Sequence, residues 1–295
     1  MPLEETLTDY YRPALMTSVQ RIINDPESDT HCWVITGQSN FHPRDYQWPD
    51  QPGDQGVLEM GSLRWPLSDC LIAATRDPAG PFCIGQAIAV KRGETGWIFC
   101  IAHRIDCAPG TLSLREGDQV SLHLDTDYRA GLSQAHSACH LMSLALNRAL
   151  ASYWRKSVPV DAYGSPDFDR LAIEHSQIDT HNSRDRYRLG KSLRKKGFDR
   201  QRLVDTIGRV ESTVNACLRH WVSQGSPISV NREPLPLLAR REWHTHLDGK
   251  EIRIPCGGTH CDALSRLGRV KVTLGLDDSA EQLTAITRVS GNGSE

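Results

Sequence analysis

Two short strings in this chain place metal-binding donors at spacings that can meet on one ion. In His136-Ser-Ala-Cys-His140 two imidazoles stand four residues apart. On a helix such positions share a face, with Cβ atoms about 5–6 Å apart, so both rings can reach one metal. A bare His-x3-His is more often a pair of surface or core histidines, and this string alone carries little weight. In Cys256-Gly257-Gly258-Thr259-His260-Cys261 a thiolate and an imidazole again stand four apart. Here the two glycines permit the sharp backbone path that would aim both donors at one point. Together the strings offer three imidazoles and a thiolate, the donor set of tetrahedral zinc. Cys261 is an alternative thiolate to Cys256. The 116 positions from His140 to Cys256 exclude a zinc-finger spacing, so the site would be assembled inside a folded domain from a helix and a distant loop. A closed structural zinc is the alternative to a reactive one.

The rest of the chain must position those donors. At 295 residues, with 39% hydrophobic and 24% charged side chains, it has the length of about two globular domains. From Ala14 to Asp125 the pattern is one of short strands and turns, with strands expected at Ala14–Ile23, Cys32–Thr36, Phe82–Val90, Trp97–Ala102 and Gln119–Asp125. Asn40–Gly56, rich in Pro, Asp, Gln and aromatics, reads as a long ordered loop. After Asp125 the period turns helical, over Ser133–Tyr153 and again over Asp199–Val222, and Glu251–Pro255 and Gly268–Leu276 then read as strands. The expected fold is therefore α+β: a small N-terminal β-barrel over residues 1–125, followed by an α+β domain over 126–295. The tail from Arg288 is expected to fray.

No apolar run approaches the roughly 20 residues of a membrane span, and the first residues carry acids rather than an export signal. Nine cysteines in such a chain point to reduced thiols and a cytoplasmic protein without a membrane partner. The net charge of −2 conceals a strongly basic stretch. Residues 184–202 hold Arg184, Arg186, Arg188, Lys191, Arg194, Lys195, Lys196, Arg200 and Arg202 against Asp185 and Asp199, a local charge of +7. Such a stretch can neutralise RNA phosphates, with Tyr187 and Phe198 offered for stacking, or it can be a solvated face.

The two donor strings, in this order, resemble the editing domain of alanyl-tRNA synthetase and the free-standing alanyl-tRNA editing proteins, whose motifs are His-x3-His and, far downstream, Cys-Gly-Gly-Thr-His. Leu114-Arg-Glu-Gly-Asp-Gln-Val-Ser-Leu-His-Leu-Asp125 with Arg129 is similar to the family's approach to the first motif. Leu7-Thr-Asp-Tyr-Tyr-Arg12 and Gln51-Pro-Gly-Asp-Gln-Gly56 are similar to the start and the glycine-rich loop of members with an N-terminal barrel. Three departures stand out: Trp48-Pro49-Asp50 where glycines are usual, Ser137 in place of a threonine, and Cys261 in place of an aliphatic residue.

The resemblance implies a zinc-containing editing domain like that of alanyl- and threonyl-tRNA synthetases. It implies a zinc-dependent, ATP-independent aminoacyl-tRNA deacylase that protects translation fidelity by hydrolysing mischarged alanine tRNA, mainly the serine ester and secondarily the glycine ester. A synthetase pocket rejects a nearly isosteric side chain by only about 10- to 200-fold, which is why a second, hydrolytic site exists. His136, His140, Cys256 and His260 would hold Zn2+ and form the catalytic centre. Ser137, Gly257, Gly258 and Thr259 would line the substrate, Ser137 facing the serine hydroxyl. Arg188, Lys191, Arg194, Lys195 and Lys196 would contact the tRNA. The zinc could activate water or hold the substrate's amino group, and Asp54 and Asp262 are the weak candidates for a general base. Since 295 residues leave no visible room for an aminoacylation domain, action in trans is expected. A deacylase of another mischarged tRNA and a catalytically silent tRNA-binding relative with structural zinc are the alternatives.

Overall fold

The computed structural model describes residues 3–24, 30–107, 110–231 and 234–290. It is a mixed α+β structure in which sheet predominates. The chain opens with β1 (Leu7–Thr8), β2 (Ala14–Asn24), β3 (His31–Thr36), β4 (Gln38–Ser39), β5 (Gly56–Met60), β6 (Leu63–Thr75), β7 (Cys83–Ile84), β8 (Ile98–Asp106) and β9 (Gln119–Leu124). Next come α1 (Thr126–Ala149), α2 (Phe168–Ala172), β10 (Ile173–Asp179), β11 (Asn182–Arg188), α3 (Lys191–Lys195) and α4 (Arg200–Ser223). Last are β12 (Leu235–Pro236), β13 (Glu242–Leu247), β14 (Lys250–Pro255), β15 (Arg269–Leu276) and β16 (Gln282–Ser290). The described residues form two compact units, one reaching Arg129 and including those between Asn231 and Arg240, the other comprising Ala130–Val230 and the chain from Arg241.

In the first unit seven strands lie in the order β5-β9-β2-β3-β8-β6-β7, and β5 also pairs with β6. The ladder therefore returns to its own start, which leaves six strands without an open edge. Val34, Leu58, Ile72, Phe99, Ile101 and Leu122 are among the side chains it buries. In a second, smaller sheet, β12 pairs antiparallel with β1, which pairs parallel with β4. The Asn40–Gly56 segment packs closely onto the first unit. A Cβ at Gly53 would stand 2.3 Å from the Cys70 carbonyl oxygen, and one at Gly56 2.1 Å from that of His123, so only glycine permits this approach. It carries Asp54 into the interior, where the carboxylate is fully buried and grips Arg129, with Nε donating to Oδ1 at 2.9 Å and Nη2 to Oδ2. Arg129 also donates to the Tyr10 and Asn40 carbonyl oxygens, so its buried charge is fully engaged.

The second unit contains a four-stranded sheet in the order β10-β11-β16-β15 and the separate hairpin β13–β14. Asp125 starts α1 by accepting from the Tyr128 amide, and Asp199 caps α4 by accepting from that of Arg202. The buried stripe of α4, Leu203, Val210, Val214, Leu218 and Trp221, has helical spacing, and the helix packs on β15. Asn215 exchanges two hydrogen bonds with the Val272 backbone and Glu211 accepts from the Leu274 amide, so α4 satisfies the outer edge of β15.

Three expectations change. Phe82–Val90 is not a long strand: β7 covers two residues, and Gly85 at φ +56° turns the chain into a short 3-10 segment. Arg288–Ser290 complete β16, all paired with β15 and Arg288 with β11 as well, while residues 291–295 of the expected frayed tail lie outside the described residues. Tyr187 and Phe198 are core residues, 0% and 4% exposed, each packed at a tilt against the Phe168 ring and unavailable to bases.

His103 on β8 is a second buried group of the first unit, with neither ring nitrogen hydrogen-bonded and its edge against Phe41. Burial lowers its pKa from 6.5 to about 3. The unfolded chain therefore binds a proton below pH 6.5 that the folded state refuses, so this contribution is intact above 6.5 and erodes as pH falls toward 3. Urea titrations at pH 7 and pH 5 should show that His103→Leu loses about 2 kcal/mol less than the wild type over that interval, at about 1.4 kcal/mol per pH unit below 6.5. Equal losses would show that His103 does not set the acid sensitivity.

Candidate metal centre

α1 carries His136 and His140 one turn apart, and the loop after β14 carries Cys256 and His260. One donor atom from each of the four lies within 4.8 Å of all the others. Cys256 Sγ is 3.4 Å from His136 Nε2 and 3.3 Å from His260 Nε2. Zinc–sulfur and zinc–nitrogen bonds of about 2.3 and 2.0–2.1 Å at a tetrahedral angle put S and N about 3.5 Å apart, so the observed edges are near that size. The three imidazole centroids are 4.5 to 5.1 Å apart.

His140 Nε2 is buried with no hydrogen-bond partner, a state that costs free energy unless something else takes its lone pair. Burial holds the His136 pKa down at about 4, and burial followed by the neighbouring His136 holds that of His140 well below its usual value. Both rings are therefore neutral at physiological pH, the form a metal requires. By these tests the four residues fit a metal ion.

The surroundings hold the donors in place. The Gly258 amide donates to Cys256 Sγ at 3.4 Å, which favours the thiolate. Ser137, fully buried, places Oγ 3.2 Å from His260 Nδ1 and accepts from the Cys261 amide at 3.2 Å. With Nε2 turned to the cluster, Nδ1 carries the proton and donates to Ser137, which fixes tautomer and ring orientation. The β13–β14 hairpin that delivers Cys256 is pinned at its turn, where Asp248 at φ +52° accepts from Tyr163, Trp221, Gln224 and Arg148 and pairs with His220 at 2.8 Å. Trp243 of β13 is fully buried with its ring 5.2 Å from that of His140, which closes one side of the cluster.

No family model matches the chain. It is similar to the alanine–tRNA ligase of Caldivirga maquilingensis, 21% identical over 262 residues, 81% of this chain and 22% of that protein. It is likewise similar to the alanine–tRNA ligase of Methanopyrus kandleri, 22% identical over 254 residues, 85% of this chain and 22% of that protein. The chain thus spans about a fifth of the length of these curated relatives, and the likeness supports a distant relation to alanine–tRNA ligases.

Several expected roles move. Cys261 is not the alternative ligand: its Sγ donates to the Ala263 carbonyl at 3.4 Å, and burial raises its pKa. Cys139, between the two histidines, turns to Asp185 instead. Ser137 has no exposed surface to offer a substrate and serves His260. Thr259 is 3% exposed and accepts from Ser133 Oγ at 3.0 Å, a partner that lies three residues before His136 on α1. Neither Gly257 nor Gly258 takes a positive φ; a Cβ at Gly257 would meet open space, so that exposed residue leaves room beside Cys256. Asp54 is locked to Arg129 inside the first unit, and Asp262 is exposed and paired with Arg266 at 3.2 Å, which leaves neither placed as a base for the cluster. Arg188, Lys191, Arg194, Lys195 and Lys196 are all exposed, and Trp48 is 44% exposed on the first unit. Trp243 and Ser133 escaped sequence reading; only the helical offset of Ser133 from Ser137 hinted at a role.

Removing the Ser137 hydroxyl should loosen His260. Ser137→Ala is expected to weaken zinc affinity about 10- to 100-fold in a competitive chelator titration, with Ser137→Thr close to wild type because it keeps the oxygen. Unchanged affinity in the alanine variant would remove Ser137 from the metal's support.

Proposed function

We propose that this protein is a zinc-dependent aminoacyl-tRNA deacylase acting in trans on mischarged alanine tRNA, with the serine ester as main substrate and the glycine ester second. The observation that carries this reading is the convergence of His136, His140, Cys256 and His260 in a chain similar to alanine–tRNA ligases over more than four-fifths of its length. Three imidazoles and a thiolate suit zinc better than the oxygen-seeking cations. In this reading residues 126–295 form the editing domain, and the closed strand ladder before it is a small β-barrel spanning 1–125. Among the described residues no helix is long and apolar enough to cross a membrane, in keeping with a cytoplasmic enzyme.

Bound zinc supplies Lewis acidity and a fixed positive charge beside the ester. The chain's own residues do the rest. Ser137 holds the proton of His260 at Nδ1, the Gly258 amide steadies the thiolate, and Trp243 and Thr259 keep water from the buried side of the cluster. Open space at Gly257 provides the side from which an ester can approach. The exposed cations from Arg188 to Lys196 supply a sequence-independent hold on phosphates.

A second reading is favoured by the ligand count. Four protein donors saturate a tetrahedral ion, as in structural sites, which suits a catalytically silent tRNA-binding relative. Metal-loaded protein incubated with Ser-, Gly- and Ala-charged alanine tRNA separates the two. Loss of the serine ester is expected, reduced about 100-fold or more in His136→Ala and Cys256→Ala and by chelation. If no aminoacyl ester is lost in a metal-dependent way, deacylation is excluded; tRNA binding that persists while chelation abolishes the melting transition identifies the silent relative. Loss of the ester from another mischarged tRNA in preference to alanine tRNA would move the substrate.

Charge reversal at Arg194, Lys195 and Lys196 should lower tRNA affinity and reduce the dependence of log Kd on log salt by about 2 to 3. An unchanged slope would take these side chains out of the interface.

A further inference from the structure

α4 is bent. Thr206 lies at φ −132° and ψ 17° inside the helix, and its Oγ1 donates back to the Arg202 carbonyl at 2.6 Å, a back-bond that bends helices. At the bend a cavity of about 270 Å³ opens, lined by Ser152, Tyr153, Arg202, Thr206, Arg209 and Thr213. Val210 adds to the lining, and the cavity's hydroxyls are largely used inside the protein: Thr206 and Thr213 donate back to the Arg202 and Arg209 carbonyls, and the Tyr153 hydroxyl lies 2.8 Å from Thr206 Oγ1, so the donors left for a ligand are those of the two guanidinium groups.

The two arginines stand seven positions apart, about two turns, and so project from one side of the helix. Arg202 is already fixed. Its guanidinium lies 4.3 Å from the Tyr153 ring centroid, while Nη1 and Nη2 each donate once to Ser152. An arginine has five N–H donors, so others remain for a ligand. Arg209 is exposed and makes no side-chain hydrogen bond or ion pair with any described residue. A fixed guanidinium and an unpaired one lining the same cavity suit an anion with several acceptor oxygens, and phosphate is the group whose geometry the planar fork matches. The volume lies just under the range of about 300–1,000 Å³ typical of sites for whole small molecules, and it accommodates a phosphate with part of its sugar.

A strand also has a path to follow. Lys156 Nζ donates to the Lys195 carbonyl and the Arg155 amide to that of Gly197, which sets both cations beside the basic turn that ends at Lys196. Asp199 pairs with Arg155 at 2.6 Å, which offsets that cation, and the exposed Asp205 accepts from the neutral Gln201 amide. Lys156 thus joins the exposed cations of α3, and Arg202 and Arg209 follow on α4. Ala149, which also lines the cavity, is nine residues beyond His140, about two and a half turns, and projects from the side of α1 opposite that metal ligand.

We propose that the cavity at the bend of α4 is a phosphate site that takes a backbone phosphate of the RNA partner, separate from the metal centre. The inference rests on the reading of an RNA partner and deepens it. Full-length, metal-loaded protein is titrated with labelled, uncharged alanine tRNA between about 50 and 200 mM KCl. Arg209→Gln should raise Kd about 5- to 10-fold and reduce the salt slope by about one, and Arg209→Lys should keep the slope at weaker affinity, with melting temperature and zinc content unchanged in both. Kd and slope unaffected by Arg209→Gln overturn the proposal, as does wild-type protein that binds no RNA. Inorganic phosphate and a nucleoside monophosphate are titrated in parallel at matched ionic strength. Tight binding of either that depends on Arg209, beside RNA binding that does not, makes the occupant a small phosphate compound and also overturns it. Absent ester hydrolysis with Arg209-dependent tRNA binding intact counts against the deacylase reading alone.

Discussion

The second unit is organised around one demand: four donor atoms must lie within 4.8 Å of one another, largely shielded from water, with all three imidazoles unprotonated. Apart from a metal ion such a cluster has little to recommend it. Each buried ring nitrogen without a partner costs about 1–3 kcal/mol, and His140 Nε2 is left in that position. A bound cation removes the difficulty by taking every lone pair at once, and its binding free energy then becomes part of the folding free energy. Burial that makes His136 and His140 poor bases is the same feature that keeps their lone pairs ready for the metal.

That demand accounts for features with no other evident purpose. A single residue, Ser137, is shared between His260 and the backbone of Cys261, so the helix and the loop fix each other. Asp248, far along the hairpin from Cys256, gathers donors from α1, α4 and the Tyr163 loop, which makes the strand that delivers the thiolate rigid from its other end. The rest of α4 serves the sheet through Asn215 and Glu211, while near its bend Arg202 packs on Tyr153 and Arg209 stays exposed.

Legibility in the sequence followed a physical rule. His136, His140, Cys256 and His260 were readable because metal donors are few and their spacing is local on each side of the site. α1 and α4 were readable from their apolar periodicity. β11 was not, because the residues it turns inward are Ser183, Asp185 and Tyr187, and two polar side chains break the alternation that marks a strand. β6 was hidden by Pro66 and Asp69 within its span. The contact of Ser137 with His260 was not legible because sequence places it beside a ligand without saying which way its hydroxyl turns. The return of the chain near Leu235 to pair with β1 depends on contacts more than two hundred residues apart, which no local pattern encodes.

X-ray absorption at the zinc edge on protein purified without added chelator reads the metal centre itself. Close to one zinc per chain is expected, with one sulfur at about 2.3 Å and nitrogen ligands at about 2.0–2.1 Å, and loss of the sulfur shell in Cys256→Ser with Cys261 untouched. An absorber surrounded only by oxygen and nitrogen in the wild type, or a sulfur shell that survives Cys256→Ser, would contradict it.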